Sequence, residues 1–152
     1  MGLTVTSSSF EHGGRIPDKY SKYHDDVSPE IAWTGAPEGT VEFAVICHDP
    51  DAPMPWYWDH WVVTGIPSDV SSLPEGSRGA DHTLGMTSYG EADWGGPMPP
   101  PGHGDHHYFF WVYALDTSVE GPVTRREFLD RYGDNILAQE RIVGTYSRAA
   151  DA

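Results

Sequence analysis

Acidic, imidazole and phenol side chains stand at the ends of three strongly apolar segments. They are Asp49 and Asp51 after the first segment, His60 at the start of the second, and His106 and Tyr108 at the start of the third. Such groups donate or accept hydrogen bonds, and imidazole changes its charge near neutral pH. If the three segments are neighbouring strands, these side chains are expected to meet in one pocket, rimmed by the prolines of 97–101.

These residue types suit a phosphate-like ligand. Imidazole N–H and phenol O–H groups can donate hydrogen bonds to its oxygens, and the backbone amides of Gly102 and Gly104 could point toward the same anion. Asp49 would repel an anion unless it orients a histidine, meets a protonated ligand oxygen or faces an ammonium group. The combination favours a singly charged or zwitterionic ligand over a free dianion.

Two kinds of enzyme are alternatives. The residues His103, His106, His107, His60, Asp49 and Asp51 have the ligand types for a divalent metal, which would make the protein a hydrolase acting through activated water. The His103-x-x-His106-His107 spacing lies in a loop rather than on a helix, however, and no His-Glu-x-x-His signature is present. A serine hydrolase is less favoured because the Gly-x-Ser-x-Gly pattern is absent. Cys47 lies in an apolar run and is expected to be a buried, unreactive thiol.

The apolar segments predict a mainly all-β fold. Strong strands are expected at 41–48, 60–66 and 107–115, with weaker ones at 3–7, 31–34, 84–89 and 142–147, because these runs are short and rich in β-branched and aromatic residues. Without alternating helices, about seven strands predict a sandwich of antiparallel or mixed sheets.

A short C-terminal helical part is predicted within 124–141. Thr124 and Glu127 fit a capping box at the helix start, and Gly133 is expected to end or break the helix. Asp134 could then cap a second short helix that carries Ile136 and Leu137.

Composition limits the classes of partner. The 152 residues contain 9 Lys and Arg against 23 Asp and Glu, so the formal charge is −14 with neutral histidines. A surface this acidic repels nucleic acid and anionic membranes. No run approaches the ~18 apolar residues of an integral membrane segment, and the start lacks the features of a secretory signal. These observations predict one domain over residues 1–152 in the cytoplasm.

Three ordered motifs resemble the phosphatidylethanolamine-binding protein (PEBP) family. They are Asp-Pro-Asp-Ala-Pro at 49–53, Trp-Asp-His-Trp at 58–61 and Pro-Pro-Pro-Gly-His-Gly-Asp-His-His-Tyr at 99–108. Further similarity at 28–33 and 144–146 extends the match over nearly the whole chain. The chain is most similar to the bacterial and archaeal branch, which includes the Raf kinase inhibitor-like proteins.

The resemblance implies a PEBP-like β-sandwich that binds a phosphorylethanolamine-like ligand without catalysis and without a cofactor. By position, the implied ligand-binding residues are Asp49, Pro50, Asp51, Trp58, His60, Pro99, Pro100, His106 and Tyr108. It further implies a homodimer and inhibition or regulation of a protein partner such as a kinase or protease. Two departures stand out: His107 replaces the usual Arg, and Met98 replaces a smaller residue at the pocket mouth.

Overall fold

Strands dominate the computed structural model, which describes residues 2–52 and 58–148. The strands are β1 (Thr4–Thr6), β2 (Ile31–Thr34), β3 (Glu42–Asp49), β4 (Trp58–Pro67), β5 (Ser72–Leu73), β6 (Thr83–Leu84), β7 (His106–Leu115) and β8 (Ile136–Tyr146). The helical elements of the same residues are α1 (Arg125–Tyr132) and two short 3₁₀ turns at Asp18–Tyr20 and Gly133–Asn135.

The strands form two sheets, which confirms the predicted mainly β architecture. One sheet has the order β1-β2-β5 and the other β6-β4-β3-β7-β8. Every pairing between these strands is antiparallel. Parallel pairing among the described residues is confined to an isolated bridge between Arg15 and Thr145.

β3 lies at the centre of the larger sheet and is buried along its whole length. Phe43, Val45 and Cys47 join the core between the two sheets. Ala44 and Ile46 point the other way, into a second core shared with α1. Burying an aliphatic side chain stabilises a fold by about 1.5–3 kcal/mol. A strand that contributes to two cores therefore holds its end residue, Asp49, in a firmly fixed position.

The helical region is shorter than predicted. The capping box is present: Thr124 accepts a hydrogen bond from the Glu127 amide, and the Glu127 carboxylate accepts one from the Thr124 amide. The second helix at Ile136 and Leu137 was a wrong prediction, because β8 begins there. No helix in the described ranges has the length and apolarity to cross a membrane.

The long neighbouring strand explains why β8 starts early. β7 offers a full row of partners, so that Ile136 pairs with Leu115 and Ala138 with Ala114. Burial alternates from Ile136 to Gln139, as expected for a strand with one covered face. β8 therefore extends well before the predicted range of 142–147.

The predicted strand at 84–89 is mostly irregular, since β6 ends at Leu84. Gly85 explains the interruption: an ideal Cβ there would lie 1.9 Å from the Val123 carbonyl oxygen. The chain passes too close to its neighbour for any side chain at this position. The turn that follows, at 87–90, brings Tyr89 toward β4.

The outer edge of β8 is partly covered by residues 12–16. The Gly13 amide donates to the Val143 carbonyl (2.6 Å) and the Ile16 amide to the Thr145 carbonyl (2.7 Å). The Val143 amide donates to the Nδ1 atom of His12 (3.1 Å). Closer to the strand start, the Arg141 amide donates to the neighbouring Glu140 carboxylate (3.0 Å).

Candidate functional site

A cavity of about 230 Å³ opens where β3 ends and its two antiparallel neighbours begin. Antiparallel order places the last residue of β3 beside the first residues of β4 and β7, as the pairing of Asp49 with Trp58 shows. The cavity is lined by Asp49, Ala52, Trp58, His60, Tyr89, Met98, Pro99, Pro100, His106 and Tyr108. Residues from three distant parts of the chain are thus brought together.

A β-bulge in β4 sets which side chains face the cavity. Cys47 pairs with Trp61 and His48 with Asp59, so His60 is the extra residue in the ladder. Without the bulge, alternation would place His60 and Trp58 on the α1 face of the sheet. With it, both line the cavity, and the Asp59 carboxylate lies 2.9 Å from His48 Nδ1.

Asp49, His106 and His103 form a chain of hydrogen bonds. His106 Nδ1 lies 2.7 Å from the Asp49 carboxylate, and both side chains are buried. The Nε2 atom of His106 lies 3.0 Å from Nδ1 of His103. A carboxylate only accepts, so His106 Nδ1 carries the proton in this bond. Both His106 nitrogens are therefore already engaged within the protein.

His60 presents an acceptor to the cavity. Its Nδ1 atom lies 2.7 Å from the Gly95 carbonyl oxygen, which can only accept, so Nδ1 carries the proton. In the neutral ring Nε2 is then an unprotonated acceptor. Burial lowers the pKa of His60, although the Gly95 hydrogen bond and the charge of Asp49 act in the opposite direction. His60 consequently stays neutral at neutral pH.

Tyr108 supplies the hydroxyl of the site. It is almost fully buried, and its ring lies edge-on to His60 with 5.2 Å between centroids. Burial, followed by the charge of Asp49, raises the pKa of Tyr108, so the phenol keeps its proton. Its hydroxyl forms no hydrogen bond to another residue of the described ranges, which leaves this donor available to a molecule in the cavity.

Hydrogen bonds fix the apolar wall of the cavity. The Pro97 carbonyl accepts from Ser21 Oγ (2.8 Å) and the Pro99 carbonyl from the Tyr23 hydroxyl (2.6 Å). The Tyr89 hydroxyl donates to the Gly96 carbonyl (2.8 Å), which holds the Tyr89 ring against Trp58. The proline-rich segment is therefore tied to the N-terminal part of the chain.

Most of the predicted ligand-binding residues line this cavity: Asp49, Trp58, His60, Pro99, Pro100, His106 and Tyr108. Pro50 and Asp51 do not. The Asp51 amide donates a hydrogen bond to the Asp49 carboxylate. The Asp51 carboxylate accepts a hydrogen bond from the backbone amide of the exposed His107 and lies 2.7 Å from Nδ1 of the same residue. Burial of Asp51 opposes ionisation, but the bonds from His107 outweigh it and lower the pKa of Asp51.

The Gly102 amide does not point toward an anion in the cavity, as the sequence had suggested. It donates to the Arg148 carbonyl (2.9 Å) and is not available to an anion. Gly102 and Gly104 have positive φ angles, 76° and 78°, which glycine adopts readily because it lacks a Cβ atom. Pro53, the last residue of the first motif, lies outside the described residues.

Sequence reasoning missed Ala52 and Tyr89 as lining residues. No sequence motif surrounds Tyr89, and its side chain reaches the cavity only because of the turn that follows Gly85. The sequence indicated Met98 as a departure from the family at the pocket mouth but not as a lining residue. In the structure its half-exposed side chain lines the cavity. Ala52 lies three residues after Asp49 within the Asp-Pro-Asp-Ala-Pro motif, and this position was the available signal.

The described ranges contain no group of three His, Cys, Asp or Glu side chains placed to hold a metal ion. His103 and His106 contact each other, while His107 is turned to Asp51 on the surface. Cys47 is fully buried, and burial raises the pKa of its thiol well above the usual value. The sequence prediction of an unreactive thiol agrees with this position.

The family model of the phosphatidylethanolamine-binding proteins matches residues 6–147. The chain belongs to the PEBP family. Its relatives include a UPF0098 protein of Aquifex aeolicus, 39% identical over 96% of this chain and 89% of the relative.

Two solved PEBP structures share the fold closely. YbcL of Escherichia coli, described as a new member of the mammalian PEBP family, superposes with a TM-score of 0.90 at 31% identity, over 97% of this chain and 99% of YbcL. The PEBP homologue CT736 of Chlamydia trachomatis superposes with a TM-score of 0.89 at 30% identity, over 97% of this chain and 98% of CT736. The similarity in fold thus covers both sheets.

Proposed function

We propose that the cavity binds a small singly charged or zwitterionic ligand with a phosphate-like group, such as phosphorylethanolamine, without chemical change. The observation that supports this most directly is the mixture of groups at its base. Tyr108 offers a hydroxyl donor, whereas Asp49 and the Nε2 atom of His60 are acceptors. Among the described residues that line the cavity there is no Lys or Arg.

This mixture favours a ligand that both accepts and donates. An ionised phosphate oxygen can accept from Tyr108, and a protonated phosphate oxygen or an ammonium group can donate to Asp49 or His60. A free dianion offers acceptors only and would face the Asp49 carboxylate without a compensating cation. The surrounding Trp58, Met98 and prolines supply an apolar wall for the rest of the molecule.

A metal-dependent hydrolase is not proposed. The His and Asp side chains on which that alternative rested do not gather into a metal-binding group within the described ranges. Those of His106 and Asp49 are bonded to each other, and a metal ion would have to break this buried pair.

Calorimetry with phosphorylethanolamine tests the proposal through Tyr108→Phe. This change removes one hydroxyl and keeps the ring, so a lost hydrogen bond to a charged ligand should cost about 1.5–3 kcal/mol, at least a tenfold weaker affinity. Tyr108→Phe is cleaner than His106→Ala, which would leave Asp49 buried without its partner.

Tyr113→Phe is the matched control. Tyr113 is also buried on β7, but it faces α1 on the opposite side of the sheet. Its variant should bind phosphorylethanolamine as the wild type does. Equal affinity of the wild type and the Tyr108→Phe protein would move the ligand away from this cavity.

The family also supports predictions about assembly and partners. We expect a cytoplasmic homodimer that regulates a kinase or protease. Sedimentation equilibrium would test the dimer. Inhibition assays on candidate enzymes, with and without phosphorylethanolamine, would test the regulation, and an inhibitory effect independent of ligand and of Tyr108 would place it on another surface.

A further inference from the structure

The dipeptide Gly95–Gly96, called here the glycine pair, is held by hydrogen bonds from several parts of the chain. The Gly95 amide donates to the His60 carbonyl (3.0 Å), and the Gly95 carbonyl accepts from His60 Nδ1 (2.7 Å). The Gly96 amide donates to the Asp26 carboxylate (2.7 Å), and the Gly96 carbonyl accepts from the Tyr89 hydroxyl (2.8 Å). Every backbone polar group of the pair is therefore engaged, and three of the four bonds lead to residues that line the cavity.

The glycine pair leaves no room for side chains. An ideal Cβ atom on Gly95 would lie 2.3 Å from a ring carbon of Tyr89, and one on Gly96 would lie 2.0 Å from the Tyr20 carbonyl oxygen. The backbone thus passes close between its neighbours at both residues. A change in the contacts that hold the pair should consequently move the carbonyl that orients the His60 ring.

Arg78 ties together the parts of the chain that hold the glycine pair. Its Nη1 atom donates to the Asp26 carbonyl (2.7 Å), and its Nη2 atom donates to the Trp94 carbonyl (2.8 Å). The Nε atom donates to the Asp93 carboxylate (2.8 Å). The planar fork of a guanidinium group makes such bonds at fixed angles, which the ammonium group of lysine does not reproduce. Arg78 therefore links Asp26 to the residue directly before the pair.

Asp26 and Arg78 also share an unusual backbone conformation. Among the non-glycine residues that the structure describes, these two have positive φ angles, 55° and 58°. Aspartate enters this left-handed region more readily than most residues do, whereas a long side chain such as that of arginine seldom occurs there. Backbone strain of this kind persists where surrounding contacts require it, and it is concentrated at functional sites. The contacts of both residues converge on the glycine pair and on Trp94.

We propose that Asp26 and Arg78 are positioning residues of the cavity. They hold the glycine pair so that the Gly95 carbonyl keeps the proton of His60 on Nδ1, since the hydrogen bond at one ring nitrogen determines the state of the other. The Nε2 atom then meets the ligand as an acceptor, which selects ligands that carry a donor, either an ammonium group or a protonated phosphate oxygen. Neither Asp26 nor Arg78 lines the cavity. The selection rests on the proposed function, whereas the control of the ring proton does not.

Nitrogen NMR of the histidine rings in the ligand-free full chain at neutral pH tests the positioning. The His60 signals, assigned by their loss in His60→Gln, should show a protonated Nδ1 and an unprotonated Nε2 in the wild type. Asp26→Gly removes the carboxylate and keeps the left-handed backbone, and Arg78→Lys keeps the charge and removes the forked contacts. In each variant the shifts of the two His60 nitrogens should move toward each other, because the tautomer protonated at Nε2 becomes populated.

Two controls separate positioning from a general loss of stability. Asp26→Asn should match the wild type, because its side-chain oxygen can still accept from the Gly96 amide. Glu42→Ala removes another carboxylate that accepts from two amides, those of Gly65 (3.2 Å) and Val119 (2.9 Å), at the opposite end of β3. It should lower the urea midpoint and leave the His60 shifts unchanged.

The proposal is overturned if the wild-type ring is protonated at Nε2, or if Glu42→Ala moves the His60 shifts as much as Asp26→Gly does. Unchanged His60 shifts in Asp26→Gly and Arg78→Lys would overturn it as well, whatever their stability. The two variants alter different contacts, so that unfolding of one leaves the other as the test.

Calorimetry with two ligands tests the selection. Phosphorylethanolamine brings an ammonium donor, whereas the dianion of methyl phosphate offers acceptors only. Asp26→Gly should weaken the binding of phosphorylethanolamine about threefold to tenfold and should not weaken that of methyl phosphate. Equal effects on both ligands would overturn the selection. If the wild type binds no phosphorylethanolamine, the proposed function fails, and the NMR comparison still decides whether Asp26 and Arg78 position His60.

Discussion

The hydrogen bond from His60 to Gly95 changes what an imidazole contributes to a phosphate-like site. Histidines near an anion are usually considered as donors or as cations. Here Nδ1 is committed to a carbonyl and burial lowers the pKa, so the ring meets the ligand as a neutral acceptor. His106 is committed to Asp49 in a similar way. Since the Tyr89 hydroxyl already donates to the Gly96 carbonyl, Tyr108 supplies the hydroxyl donor for ligand oxygens in the cavity.

The lowered pKa of His60 predicts a pH dependence of stability. An unfolded histidine has a pKa of about 6.5, and the folded value is lower, so the unfolded chain binds more protons between these two values. Stability should therefore fall as the pH drops below about 6.5. In His60→Gln this contribution is absent, and the loss of stability between about pH 7 and pH 5 should be smaller.

Urea unfolding across this pH range would measure the effect. His82→Gln is the control, because His82 is only half-buried and lies away from the cavity. Its pH profile should match that of the wild type. An unchanged profile in His60→Gln would contradict the role given to burial of this ring.

At the scale of single residues, the chemistry of the site could be predicted but its geometry could not. Asp49, His60, His106 and Tyr108 were identified because polar groups interrupted apolar runs. The β-bulge at His60 leaves no clear trace in the sequence, and neither does the contact that holds Tyr89 against Trp58. The orientation of the His60 ring depends on a backbone carbonyl, which every residue possesses.

At the scale of elements, the cavity depends on a segment without regular structure. The proline-rich wall at 97–101 is fixed by contacts from a distant part of the chain, in particular Ser21. This hydroxyl is fully buried; it donates to the Pro97 carbonyl and accepts from the Tyr23 amide.

Ser21→Ala should therefore loosen the cavity wall. The change leaves the Tyr23 amide without its partner and removes one of the two donors to the Pro97 carbonyl, which keeps its hydrogen bond from the Lys22 amide (3.0 Å). This should lower the free energy of unfolding by about 1–3 kcal/mol. Hydrogen exchange of the amides in 97–104 should become faster, and phosphorylethanolamine should bind more weakly. Ser68→Ala, at an exposed position, should change neither quantity. Slow exchange retained in Ser21→Ala would show that other contacts hold the wall.

The elements themselves were predictable to the extent that local signals determined them. The three strong strands, the strand at 31–34 and the capping box were found because apolar runs and cap residues act locally. The start of β8 could not be predicted in this way, because Ile136 and Leu137 follow a helix in the sequence. They join the sheet because β7 is long enough to pair with this part of the chain. Tertiary pairing overrode the local signal there.

At the scale of the whole molecule, the charge of −14 opposes the approach of anionic ligands. Screening weakens this repulsion, because the Debye length falls from about 30 Å at 0.01 M salt to about 8 Å at 0.15 M. The affinity of the cavity for methyl phosphate should therefore rise as sodium chloride is added over this range. Phosphorylethanolamine carries a compensating ammonium group and should respond less.

Calorimetry at several salt concentrations would compare the two ligands, with the Tyr108→Phe protein as a baseline for binding outside the cavity. A decrease in methyl phosphate affinity with added salt would mean that local positive potential outweighs the net charge. Identical salt responses for the two ligands would argue against a role for Asp49 opposite the ammonium group.

Residues 12–16 cover part of the edge of β8, so proteolysis within the N-terminal segment would change how this edge meets other molecules. An uncovered edge strand presents unpaired amides and carbonyls that recruit strands from other molecules and lead to aggregation. Here a stretch far from β8 in sequence occupies the second half of that edge, and the Glu140 side chain blocks one amide of the first half. Cleavage that released the N-terminal segment would thus expose a self-associating edge of the five-stranded sheet, and it would also remove the core side chains of Phe10 and Ile16.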